Sequence, residues 1–177
     1  MPGTLERHAN FSSKHVPPRH VDVWRPPAAP AQDTRRTPVL YMHDGQNLFD
    51  SKTASIGVDW GIDEALSQLI ADGTLPPTLV VGVWNTSRRA REYLPERPFA
   101  SPAGGKELTQ LETPYQDGPL SDAYLRFLVE ELKPFIDRRY PTHPDRAHTF
   151  IMGSSMGGLV SLYALCEYPN VFGGAAC

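Results

Sequence analysis

The residues best placed to do chemistry are Gly153-Ser154-Ser155-Met156-Gly157, a G-x-S-x-G pentapeptide inside the stretch FIMGSSMGG. A strand-like apolar run precedes it and a helix-like run, MGGLVSLYALCEYP, follows. That is the setting in which a serine on a sharp strand-to-helix turn serves as a nucleophile. Flanking glycines let strand and helix approach, and the first N–H groups of the helix favour negative charge developing on a carbonyl oxygen. Ser155 is the candidate nucleophile; Ser154 holds the variable position of the motif. Two other readings stay open on these residues alone, a phosphate-cradling turn and a purely structural one. The first lacks both G-x-G-x-x-G and a P-loop lysine. A serine hydroxyl also needs a base, usually a histidine steadied by a carboxylate. The residues after Ser155 contain no Asp and no His, and Glu167, their one carboxylate, sits late in the helix facing away from a triad position.

Other reactive types are scattered. His43-Asp44 follows an apolar strand-like run and invites comparison with a catalytic dyad or a metal site, although a strand-to-loop corner is the simpler account. His8, His15, His20, His143 and His148 lack H-E-x-x-H or other paired spacing, so solvated or structural roles are expected and no metal site is predicted. Cys166 and Cys177 form no C-x-x-C pair and read as free thiols. A formal net charge of -3 supplies no basic field for nucleic acid. The N-terminus has no apolar signal core and no long apolar run suits a membrane span, so the sequence predicts neither a membrane nor a nucleic-acid partner and points to the cytoplasm.

The elements that must position these groups alternate. Residues 20–24 and 38–42 read as strands, and Ile62, Ala65, Leu66, Leu69 and Ile70 mark one buried helical face closed by Asp72-Gly73. Thr78–Trp84 reads as a strand covered on both faces. A proline-, glycine- and charge-rich excursion from Asn85 to about Leu120 follows, long enough to be a binding loop, a lid or a mobile surface segment. Ser121 is the expected N-cap of a helix whose stripe is Tyr124, Leu128, Leu132, Phe135 and Ile136, with Pro134 expected to kink it. HTFIMG, the MGGLVSLYALCEYP helix and an extended VFGGAAC complete the order. This pattern predicts a single α/β domain over residues 1–177, with a parallel sheet and helices on both faces.

Read together, YMHDGQNLFD, VDWGIDEAL, VVGVWN, REYLP, ELKPFIDRRYP and IMGSSMGGLVSLYAL resemble the Putative esterase family of α/β-hydrolases, over roughly residues 20–177. That family includes esterase D, ferric enterobactin esterases, feruloyl esterases and the antigen 85 mycolyltransferases. The resemblance implies an α/β-hydrolase fold with a doubly wound, mostly parallel sheet, and serine carboxylic-ester hydrolysis through an acyl-enzyme without metal or organic cofactor. It implies Ser155 as nucleophile and the backbone N–H groups of Met156 and Gln46 as the oxyanion hole. Asp44, Trp84, Asn85, Arg91 and Tyr93 are candidate contacts for a small-molecule ester, because crevice ligands bind beyond the carboxyl ends of such strands. In the family's chain order the acid and histidine follow the serine. They are therefore expected beyond Cys177, with the C-terminal strands, and the 177-residue chain alone is expected to be inactive. An acyltransferase of the same fold and a catalytically silent binding domain are the competing functions. Which ester is used, and the oligomeric state, are not legible.

Overall fold

The computed structural model describes residues 2–27, 36–100 and 117–177. The middle of the proline-rich excursion, residues 101–116, lies outside them. Six strands form one sheet: β1 (Thr4–Phe11), β2 (Arg19–Arg25), β3 (Val39–His43), β4 (Leu79–Val83), β5 (Thr149–Met152) and β6 (Gly174–Ala176). Their spatial order is β1-β2-β4-β3-β5-β6. From β4 through β6 all neighbours are parallel, while β1–β2 and β2–β4 are antiparallel. The sheet is therefore mostly parallel, as expected, with an antiparallel flank at β1 and β2. β1 is a strand that no pattern in TLERHANF announced: it is an edge strand, mostly polar, with Asn10 at φ 52° where its register slips.

Strand periodicity places two cores on opposite faces of the sheet. Val39 and Tyr41 of β3, with Leu79, Val81 and Val83 of β4 and Ile151 of β5, face one core. Leu40 and Met42, with Val80 and Met152, face the other. The second face is covered by α1 (Ile62–Ala71), through the expected Ile62, Leu66 and Ile70 stripe. The first is covered by a long helical stretch and by α6 (Met156–Glu167), the helix that follows Ser155.

That long stretch runs as α4 (Ser121–Arg126), a π-helical segment Phe127–Leu132 and α5 (Lys133–Arg139). Pro134 explains the break in pattern. A proline there has no N–H to give and its ring crowds the carbonyl four residues back, so the preceding turn widens. Tyr124, Leu128, Leu132 and Ile136 are buried as the stripe predicts. Ser121 is not the N-cap: Leu120 takes that position, and the Ser121 hydroxyl is buried without a partner among the described residues. Among the described residues, two short helices, α2 (Arg89–Glu92) and α3 (Glu96–Ala100), lie between β4 and α4. Among the described residues no helix is long and apolar enough to cross a membrane.

Candidate active site

β3 and β5 are parallel neighbours, with Met42 beside Met152, so the turns leaving them stand side by side at the carboxyl end of the sheet. The turn after β5 carries Ser155 at φ 57°, ψ -122°, as the N-cap of α6. A non-glycine residue in such a conformation costs about 1–3 kcal/mol, a cost met only where the surrounding structure dictates it. Here hydrogen bonds and packing dictate it. The Ser154 carbonyl accepts from Gly157 N–H at 2.8 Å and the Ser155 carbonyl from Gly158 N–H at 2.9 Å, which drives the chain straight into the helix. Gly153 makes the crossing possible, since a Cβ there would lie 2.5 Å from the Gly157 carbonyl carbon. Ser155 is exposed, and its hydroxyl has no hydrogen-bond partner among the described residues.

The turn after β3 is the second wall. A Cβ on Gly157 would meet His43 Cβ at 3.4 Å and Asp44 Oδ2 at 3.7 Å, so the start of α6 rests on this corner. Asp44 has φ 57°, ψ 44° and opens a 3-10 turn, Gly45–Asn47, closed by Asn47 N–H donating to the Asp44 carbonyl at 2.9 Å. Gly45 sits on the Gly82 backbone with no room for a side chain, its Cβ position being 2.6 Å from the Gly82 carbonyl carbon. The Asp44 carboxylate is buried and saturated. Arg89 grips it with Nε and Nη2, each at 2.7 Å, and Asn85 Nδ2 donates to it at 2.6 Å. Asn85 N–H in turn donates to Gln46 Oε1 at 3.2 Å, stitching the exit of β4 to that of β3. Asp44 N–H reaches the Tyr93 hydroxyl at 3.3 Å.

His43 lies beneath this corner, 1 % exposed, against the rings of Tyr93 and Tyr124, and its Nδ1 is 2.8 Å from the Tyr124 hydroxyl. Its Nε2 is buried without a partner among the described residues. Burial lowers its pKa to about 4, outweighing the attraction of Asp44 and helped by the Arg89 charge. The ring is thus neutral near pH 7. Burial, followed by the Asp44 charge, raises the pKa of Tyr93, which stays a phenol.

The structure brings Ser155, Met156, Asp44, Gln46, Asn85 and Tyr93 to one end of the sheet. Two other sequence candidates are occupied elsewhere. The Trp84 indole turns to the antiparallel flank, where it donates to Asp22 at 2.8 Å under the Arg7 guanidinium. Arg91 straps the end of the excursion, donating to the Gly118 and Asp117 carbonyls at 2.7 Å each. Arg89, rather than Arg91, reaches the corner. The sequence offers Arg88, Arg89 and Arg91 in one run with nothing to rank them. It also conceals the Arg19–Glu92 pair, buried on both sides at 2.7 Å, which anchors α2 to β2. Glu167 pairs with Arg97 at 2.8 Å at the far end of α6, about 18 Å along the helix from Ser155. Among the described residues, the two groups of His, Asp and Glu close enough to hold a metal, Asp59/Asp63/Glu64 and His143/Asp145/His148, contain none of these site residues.

The chain is similar to known proteins along most of its length. The family model described as Putative esterase matches residues 14–177. The uncharacterized protein YbbA of Bacillus subtilis is 25% identical over 173 residues, covering 98% of this chain and 58% of that protein. The ferri-bacillibactin esterase BesA of the same organism is 27% identical over 139 residues, covering 76% of this chain and 44% of that one. The crystal structure of an IroE-like serine hydrolase from Shewanella oneidensis superposes with a TM-score of 0.69 at 26% identity, covering 97% of this chain and 49% of that one. The chain spans about half the length of these relatives.

Proposed function

We propose, from the premise that this chain belongs to the Putative esterase family, that it carries the nucleophile and oxyanion half of a serine carboxylic-ester hydrolase acting on small-molecule esters. The observation that carries this reading is the exposed Ser155, held at φ 57° at the head of a helix whose Gly157 packs on the Asp44 corner. Ser155 Oγ attacks the ester carbonyl carbon while its proton passes to a base. The resulting oxyanion accepts hydrogen bonds from the N–H of Met156, the first residue of α6, and of Gln46, which precedes the first bond of the 3-10 turn. Losing one such donor typically costs about 2.7–4 kcal/mol of transition-state stabilisation. The C–O bond to the alcohol then breaks, the alcohol takes the proton, and water releases the acyl group from Ser155.

His43 is not the base in this scheme. Its buried ring is already hydrogen-bonded to Tyr124 through Nδ1, and its low pKa makes it a poor proton acceptor. The base and its carboxylate belong to a further part of a longer protein, in keeping with relatives about twice the length of this chain. The name of BesA suggests siderophore esters as the first substrates to assay.

Two measurements test the proposal. A fluorophosphonate should label the full-length protein at Ser155, and Ser155→Ala should abolish labelling; modification at another residue would overturn the assignment. The 177-residue chain alone should hydrolyse p-nitrophenyl acetate at no more than the background rate, and Ser155-dependent turnover by it would show that the proton-handling groups are already present.

A further inference from the structure

At the opposite end of the sheet the chain enters β5 through the loop PTHPDRAHT, Pro141–Thr149, which carries the spacing H-x-D-x-x-H. The backbone here is fastened on several sides. Thr37 N–H donates to the Pro141 carbonyl at 2.9 Å and His143 N–H to the Thr37 carbonyl at 3.0 Å. Asp145 caps the 3-10 turn Arg146–His148, Oδ1 accepting from Ala147 N–H at 3.0 Å, and the Asp145 carbonyl accepts from Thr149 Oγ1 at 3.0 Å. Arg146 Nε ties the turn to the Pro169 carbonyl at 2.6 Å.

On this support three side chains converge. The imidazoles of His143 and His148 stack with centroids 4.3 Å apart and an interplanar angle of 26°. His148 Nδ1 lies 2.8 and 3.0 Å from the two Asp145 oxygens. One ligating atom from each of the three residues falls within 4.8 Å of the others. Two ligands each about 2.1 Å from one tetrahedral zinc ion are about 3.4 Å apart. The His148–Asp145 spacing lies about 0.5 Å inside that bite, and His143 offers a third ligand within 4.8 Å of both. Both histidines also line a cavity of about 830 Å³ with Arg36, Thr37, Pro38 and Pro141, which leaves space for water to complete the coordination.

We propose that His143, Asp145 and His148 form a site for one borderline transition-metal ion, zinc in the first place, that staples the entry of β5. Two imidazole nitrogens and one carboxylate oxygen suit zinc, nickel or copper, whereas calcium and magnesium take oxygen ligands. Binding places the ion where a proton is shared between His148 Nδ1 and Asp145, and any proton displaced goes to solvent. β5 separates this site from the Ser155 turn by its four residues, about 13 Å. The site therefore does not rest on the esterase reading.

The test is a zinc titration of the 177-residue chain by calorimetry. It is done in a Cys166→Ser/Cys177→Ser background, because both thiols are exposed and compete for the ion. The expected result is one equivalent bound, a rise in thermal midpoint with zinc but not with calcium, and at least tenfold weaker binding in His143→Ala and in His148→Ala. Copper bound in place of zinc should show hyperfine coupling to two nitrogens. His148→Ala removes a hydrogen bond to Asp145, so His143→Ala decides the matter if the former fails to fold. No binding at millimolar zinc, or binding that His143→Ala leaves unchanged, overturns the proposal.

Discussion

The turns after β3 and β5 start from the same backbone fact and end in opposite chemistry. Asp44 and Ser155 each stand at φ 57°, on neighbouring parallel strands, with helical turns beginning after them. Asp44 is buried, and its carboxylate is satisfied by Arg89 and Asn85. Ser155 is exposed and its hydroxyl lacks a partner among the described residues. The first turn uses its strain to aim a side chain inward and build a rigid corner. The second uses it to hold a hydroxyl outward. A strained residue marks a candidate site only when its side chain is left available, and this separates Ser155 from the corner beside it.

The contrast can be broken at several points. Gly153→Ala should do the most damage, about 3 kcal/mol in urea unfolding, because a Cβ has no space 2.5 Å from the Gly157 backbone. Gly157→Ala, with its nearest contact at 3.4 Å, should cost less than about 1 kcal/mol. Equal costs would show that the elbow is not packed as described.

The corner should also respond to acid. His43 has a folded pKa of about 4 against an ordinary 6.5, so the unfolded chain binds the extra proton between those values. Its contribution to stability is present above pH 6.5 and is lost as pH falls towards 4, about 2 kcal/mol by pH 5. Asp63 works in the opposite direction. Burial, with the neighbouring Glu64 carboxylate adding to it, raises its pKa to about 6, so it favours the fold in acid and loses that contribution as pH rises from 3.8 through 6. The difference between wild type and His43→Asn across pH 7 to 5 cancels the Asp63 effect, and a flat difference would refute the buried neutral ring.

Arg89→Ala should cost about 2 kcal/mol, since it leaves the Asp44 carboxylate buried with Asn85 as its remaining side-chain donor, while the partial exposure of Arg89 limits the loss. The smallest effect has the opposite sign. Ser155→Gly should stabilise the fold by about 1 kcal/mol in thermal unfolding by relieving the strain. Asp44→Gly relieves the same φ but deletes three hydrogen bonds, and should destabilise. Matching signs for these two substitutions would erase the distinction between the open turn and the locked corner.

Most of the interior was legible because it is periodic. The strands β2 to β5, the α1 stripe and the Tyr124–Ile136 stripe follow from apolar spacing, which burial enforces at every repeat. β1 escaped because an edge strand with one face towards solvent needs few apolar residues, and TLERHANF has few. Ser121 misled because its residue type suits a cap, while the helix starts one residue earlier, where the Leu120 carbonyl accepts from the N–H of the buried Tyr124. At the site, G-x-S-x-G and HDGQ are local turns whose glycines are sterically required, so they could be read directly. Which arginine meets Asp44, and that Trp84 turns away from it, depend on strand order and on the direction each side chain leaves β4.

The sequence by itself determined the alternating α/β architecture, the strand-to-helix elbow at Ser155 and the corner at Asp44, because each is specified by residues close together in the chain. Only the tertiary structure decided that these two turns touch and that Asp44 is locked while Ser155 is open. It likewise gathered His143, Asp145 and His148 at the other end of the sheet. The physical reason is the same throughout: local sterics and periodic burial act over a few residues, whereas contact between one strand's end and another's is set by the order in which six strands hydrogen-bond.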